Sequence, residues 1–166
     1  PAFIAQHSPQ IAVVQSAQWE IVPRQLAGDS RWRVIGDPVY DDYLRSEFIA
    51  AVDALSQDGT LVVWVNQPYY GRMEEMGLTQ AMRESHSRKR VDRLNAIIGE
   101  VARARPDTMR ILDLAGWMSD KVDDVDLRAD GSHFNKLGTE RFAEFFGPTM
   151  VETWRTWMAT SPAARR

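Results

Sequence analysis

The sequence predicts an α/β fold: a three-layer α/β/α sandwich built on a parallel sheet. Two observations predict it. Three short apolar runs, at residues 11–14, 61–65 and 109–114, read as strands, and stretches of helical period separate and follow them. Continuous apolar runs of this kind suit strands buried on both faces of a parallel sheet. Strand, helix, strand in repeated order implies right-handed crossovers, which place helices against the sheet faces. With 166 residues and 44% hydrophobic content, the chain has the length and composition of one domain with a real core. Residues 1–160 are read as that single domain and 161–166 as a fraying tail.

Each element follows from local signals. Residues 1–8 carry Phe3 and Ile4 without a preceding cap, and read as the end of a helix whose start is missing. Pro9 and Gln10 lead into the first strand, Ile11-Ala12-Val13-Val14, with a loop at 15–20. Residues 21–38 hold Pro23, Gly28, Gly36 and Pro38 without a clean period, and read as a long loop with at most a short helical turn. A helix is predicted over 40–57, where Leu44, Phe48, Val52 and Leu55 form one stripe. Asp37-Pro38 signals its start and Asp58-Gly59 its stop. Leu61 to Val65 is the strongest strand signal in the chain, and Asn66-Gln67-Pro68 ends it.

Residues 69–86 read as a loop or lid with one short helix. A helix is predicted from Ser87 to Arg105, with Val91, Leu94, Ile97 or Ile98, and Val101 at helical spacing; its Arg-rich face reads as solvated surface. The third strand spans Met109 to Leu114. A loop with Trp117 and a run of aspartates follows over 115–129. A helix at 139–146 and a second one opened by Pro148 close the chain.

The bulk numbers exclude several classes. A formal net charge of -3 without a long basic or acidic block points away from nucleic acid. Without cysteine there is no disulfide framework and no zinc–thiolate site. No Gly-rich phosphate loop follows any strand, which disfavours a nucleotide site. The aspartate run fits no twelve-residue calcium-loop pattern.

The chemistry concentrates in Leu127 to Phe134, Leu-Arg-Ala-Asp-Gly-Ser-His-Phe. Asp130 stands three residues before His133 in a turn built around Gly131. A carboxylate there can accept a hydrogen bond from one imidazole nitrogen and leave the other as a general base. Asp-Gly is also ordinary turn chemistry, so the residue types alone do not decide.

This stretch, with Gly138 and the Phe142, Phe145, Phe146 helix behind it, resembles the last motif block of the SGNH (GDSL-like) hydrolases. Further stretches extend the resemblance collinearly: Ile11 to Glu20, Ile35 to Tyr43, Leu61 to Gly71, Val91 to Ile98 and Ile111 to Trp117. Together they are similar to the SGNH domain fused to acyltransferase-3 membrane proteins of bacteria. The resemblance implies a flavodoxin-like SGNH fold that lacks its N-terminal strand here. It makes His133 the base and Asp130 its orienting acid in Ser-His-Asp acyl chemistry. The implied activity is acyl-ester hydrolysis or O-acyl transfer on carbohydrate. The partners are an acylated carbohydrate or acyl acceptor and a membrane acyltransferase domain in the same parent protein, at the extracytoplasmic face of a bacterial membrane. Neither a metal nor an organic cofactor is required.

Two placements of the nucleophile stand open. Gly28-Asp29-Ser30 spells the first SGNH block, but Ser30 follows no buried-strand pattern and no helix starts directly after it. The collinear resemblance instead puts the nucleophile upstream of Pro1, and the chain alone is then expected to be nearly inactive. Where the family carries Gly-x-Asn, this chain has Ala17-Gln18-Trp19-Glu20, so Gln18, Asn66 or backbone N–H groups are the oxyanion or substrate-rim candidates. Trp19, Trp64 and Trp117 are candidates to line an acyl or sugar site, or simply to pack. The alternative function is a non-catalytic glycan- or protein-binding module on the same scaffold.

Overall fold

The computed structural model describes residues 2–72, 74, 75, 77–162 and 164. In chain order the elements are α1 (Ala2–His7), β1 (Ile11–Gln15), α2 (Gln18–Ile21), β2 (Arg24–Gln25), β3 (Trp32–Arg33), α3 (Pro38–Leu55), a 3-10 turn (Gln57–Gly59), β4 (Leu61–Val65), α4 (Gln80–Ser85), α5 (Arg88–Ala104), β5 (Met109–Leu112), α6 (Leu114–Trp117) and α7 (Lys136–Thr160).

The centre of the molecule is β4, whose five residues are all at most 3% exposed. It pairs in parallel with β1 (Ile11 opposite Leu61) and with β5 (Val62 opposite Met109), in the order β1-β4-β5. Side chains alternate across a strand, so Val62 and Trp64 join one core while Leu61, Val63 and Val65 join another. The first core is closed by α3 and α5. Tyr40, Leu44, Phe48 and Val52 come from α3; Val91, Leu94, Ile98 and Val101 come from α5. The second core is closed by α7, through Met150 and Trp157 and a half-buried group of aromatic rings. The architecture is mixed α/β with a three-stranded parallel sheet and helices over both faces, compatible with an α/β sandwich.

α3 starts where capping chemistry says it should. The Asp37 carboxylate accepts the N–H of Val39, and Pro38 fills the first turn of α3. The Arg-rich face of α5 is not simply solvated. Arg93 pairs with Asp41 of α3 and with Glu100, and Glu100 also holds Arg45, which ties the two helices together.

Several expectations give way. The strand Ile11–Val14 is not buried on both faces: β1 is an edge strand, and Val13 is 49% exposed because nothing covers it on the α7 side. The third strand stops at Leu112 rather than Leu114, since the Asp113 carboxylate accepts the N–H of Gly116 and opens α6. The region 15–38 contains α2 and the small antiparallel pair β2–β3 rather than loop alone.

The two closing helices are one. An interior proline removes a backbone bond and typically costs about 3 kcal/mol. Here Phe142, Phe145 and Phe146 before Pro148, and Met150, Trp154 and Trp157 after it, pack against the same core, and that shared packing keeps α7 continuous past the proline. The tail is held at its first residue: Ser161 is 2% exposed and its hydroxyl donates to the Asp107 carbonyl at 2.8 Å. Met73 and Met76 of the expected lid lie outside the described residues; within it, Thr79 caps α4. Among the described residues no helix is long and apolar enough to cross a membrane.

Candidate active site

Because the sheet is parallel, the segments leaving β1, β4 and β5 share one rim, and the rim of such sheets is where ligands bind. Two of these segments are locked together. The Asn66 amide donates to Asp113 Oδ1 at 2.7 Å, and its oxygen accepts the N–H of Ala115 at 2.8 Å. Further out, the N–H of Gly71 donates to the Gly131 carbonyl at 2.8 Å, and the N–H of Arg72 to Asp123 Oδ1 at 2.9 Å. The backbones meet so closely that a Cβ on Gly131 would lie 2.1 Å from the Gly71 carbonyl oxygen. Gly131 also has φ +73°, so both space and conformation demand glycine there.

The turn that follows is built from its own side chains. Asp130 Oδ1 accepts the N–H groups of Ser132 (2.8 Å) and His133 (2.7 Å). Asp130 Oδ2 lies 2.7 Å from His133 Nδ1. A carboxylate is an acceptor only, so Nδ1 carries the proton, and in the neutral ring Nε2 keeps its lone pair. Nε2 makes no hydrogen bond among the described residues, and the His133 side chain is 84% exposed. The ring's hydrogen bond, then the backbone N–H groups, hold the Asp130 carboxyl down at about 2. Asp130 is therefore ionised throughout the neutral range, and the imidazole is oriented with its basic nitrogen outward.

α7 starts directly behind this turn. Asn135 accepts the N–H of Gly138 as its cap, while its own N–H donates to the Leu127 carbonyl at 2.9 Å. A Cβ on Gly138 would be 2.3 Å from that same carbonyl oxygen, so the helix and the turn are pressed together.

The other sequence candidates fall elsewhere. Ser30 lies in the turn between β2 and β3, on the antiparallel pair and not at the tip of a parallel strand. Its carbonyl accepts from the Gln25 amide at 2.7 Å, Asp29 beside it is paired with Arg33, and no hydrogen bond joins it to His133 or Asp130. The amide of Asn66 is the brace already described. Gln18, at the start of α2, is exposed, and its side chain makes no hydrogen bond among the described residues. Trp19 is 68% exposed, and Trp64 is buried with its N–H on the Ser16 hydroxyl.

Trp117 belongs to an aromatic group with Phe134, Phe142 and Phe145, which links the residue after His133 to α7. Trp117 and Phe145, with Lys121, Asp124 and Arg141, border an open cleft of about 520 Å³. The aspartate run serves as turn chemistry: Asp123 holds Arg72 and Asp124 Oδ1 accepts the N–H of Asp126. Three contributors lay outside the sequence reading: Gly71, Arg128 and Asn135. For Asn135 a signal exists, an Asn three residues before Gly138 at a helix start; for Gly71 and Arg128 the partners are remote in sequence.

No model of a protein family, no curated protein and no solved structure matches the chain.

Proposed function

We propose that this chain carries the base and orienting acid of an SGNH-type acyl-ester hydrolase or O-acyltransferase domain acting on acyl groups of carbohydrates. The observation that carries the reading is His133. Its Nδ1 is held 2.7 Å from Asp130 Oδ2, and its Nε2 is unengaged on an exposed ring at the rim. That is the base-and-acid half of a nucleophilic triad. The finer fold goes with it: a flavodoxin-like SGNH sandwich whose first strand lies upstream. The bare edge of β1, with Val13 exposed, supports this because it leaves room for one more parallel strand. The position of Ser30 on the β2–β3 turn supports an upstream serine as the nucleophile.

In the reaction, His133 Nε2 takes the proton of that serine hydroxyl as its oxygen attacks the acyl carbonyl. The tetrahedral oxyanion is bound by rim N–H groups, with the exposed Gln18 amide as a side-chain donor. The imidazolium, stabilised by Asp130, returns its proton to the departing sugar hydroxyl, leaving an acyl-serine. Water or an acceptor hydroxyl then attacks the acyl-serine with the same base assisting, giving hydrolysis or transfer. Every step is proton transfer or acyl exchange and draws on no metal or organic cofactor. A membrane acyltransferase domain in the parent protein and an extracytoplasmic site belong to the same proposal.

The test is serine-directed fluorophosphonate labelling with acetyl-ester turnover, on this chain and on the parent polypeptide. We expect labelling of an upstream serine in the parent and neither labelling nor turnover in the chain alone. Stoichiometric labelling of Ser30 overturns the upstream nucleophile. A parent polypeptide that neither labels nor turns over ester, yet binds glycan, leaves the binding-module reading.

A further inference from the structure

We infer that Arg128 is a positioning residue of the His133–Asp130 site, a buried cation that pins the two rim segments together behind the catalytic turn. Its side chain is almost fully buried at 2% exposure, yet it forms no ion pair among the described residues. Lys and Arg are seldom buried without a carboxylate partner. Its guanidinium instead donates to two backbone carbonyls from different segments: Tyr69, after β4, at 3.1 Å, and Val122, after β5, at 2.7 Å. Its Nε is buried without a partner. A purely structural plug would be better served by an apolar side chain of similar volume, so the charge needs a reason.

The surroundings supply it. The Val122 carbonyl that Arg128 holds is the atom against which Gly71 packs: a Cβ on Gly71 would lie 2.1 Å from it. Gly71 in turn donates its N–H to Gly131, inside the catalytic turn, and the N–H of Gly131 donates to the Arg128 carbonyl at 2.9 Å. One residue therefore closes a ring through 69–71, 122 and 128–131, and the imidazole hangs from that ring two residues further on. Asp123 and Asp130 are its electrostatic neighbours, with Tyr70; burial pulls the guanidinium pKa down, and the two carboxylates push it back up. The attraction is mutual, so Arg128 adds a secondary pull towards ionised Asp130, behind the His133 and Ser132 hydrogen bonds that dominate it.

The test compares Arg128→Met, which keeps bulk and removes charge, with Arg128→Lys, which keeps charge but offers one point donor to two carbonyls. Amide hydrogen exchange is read at Gly71, Ser132 and His133 against Val62 to Val65 in β4. With Arg128→Met we expect exchange at the three rim amides to quicken roughly ten-fold or more, as loss of a buried charged donor implies, while β4 is unchanged. The Asp130 carboxyl, followed by NMR titration, should move up as the neighbouring cation is lost and the rim N–H groups that hold it loosen. Arg128→Lys should restore the Asp130 titration and leave the Gly71 amide fast; this variant carries the exchange comparison if Arg128→Met does not fold. Uniform quickening across rim and β4, or no change at the rim, overturns the positioning role. The exchange readout does not depend on catalysis. Because the functional role rests on the proposed acyl chemistry, loss of that chemistry and loss of the pin are told apart.

Discussion

Two aspartate turns in this molecule look alike and do different things. Asp29 follows Gly28, a glycine at φ +79°, and Asp130 precedes Gly131, at φ +73°. Each carboxylate accepts the N–H two residues on, Arg31 at 3.0 Å and Ser132 at 2.8 Å. Each carboxyl is held at about 2, Asp29 by the Arg31 backbone and then the Arg33 side chain, Asp130 by the His133 ring and then its backbone. The difference lies in the partner. Arg33 is a permanent cation without a lone pair, so the Asp29 pair is a closed structural clasp. His133 has a second nitrogen, and it faces outward. A depressed carboxyl alone therefore does not mark a site here; what sets Asp130 apart is the open nitrogen on its partner.

The largest expected effect separates the two turns by chemistry. On the proposed acyl chemistry, with its upstream serine, His133→Ala in the parent polypeptide should lower the turnover number for an acetyl ester by about 10⁴- to 10⁶-fold; an unchanged rate would remove the enzymatic reading. Next comes the pair of carboxylates. Asp130→Asn should cost about 10⁴-fold in the same assay, because the tautomer is no longer held, whereas Asp29→Asn should lower the melting temperature and leave the rate alone. Equal rate losses from the two would erase the distinction drawn between them.

The glycines sharpen it structurally. Gly131→Ala combines the left-handed backbone with a 2.1 Å overlap on Gly71; chemical denaturation should show a loss of about 1–3 kcal/mol from overpacking, on top of the backbone strain. Gly28→Ala meets nothing within 4 Å and should cost only the strain, about 1–2 kcal/mol. The smallest effect is in acid. Both carboxyls are depressed from 3.8 to about 2, so what their ionised forms contribute is intact above pH 3.8 and is lost as pH falls through 2. Denaturation midpoints across that window should slope less in Asp29→Asn and in Asp130→Asn than in the wild type.

Much of this was legible in the residues. The β4 run shows five apolar residues in a row, and α3 and α5 begin and end within two residues of their stripes and caps. The Asp130–His133 contact was legible because its partners are three residues apart, and a short turn around Gly131 leaves them little choice. The bare side of β1 was not, because an edge strand and a central strand can share one apolar composition; only the neighbours tell them apart. Nor was the course of α7 through Pro148, where local propensity says stop and packing against a remote sheet overrides it.

The sequence by itself determined the alternation of strands and helices, the capped start of α3 and the contact between Asp130 and His133, since all of these are settled by interactions within a few residues. Only the tertiary structure decided that Ser30 lies on a separate hairpin, that Asn66 is spent as a brace, and that Arg128 reaches Tyr69 across 59 positions of chain. Such contacts depend on which segments the parallel sheet delivers to one rim, and no local pattern encodes that.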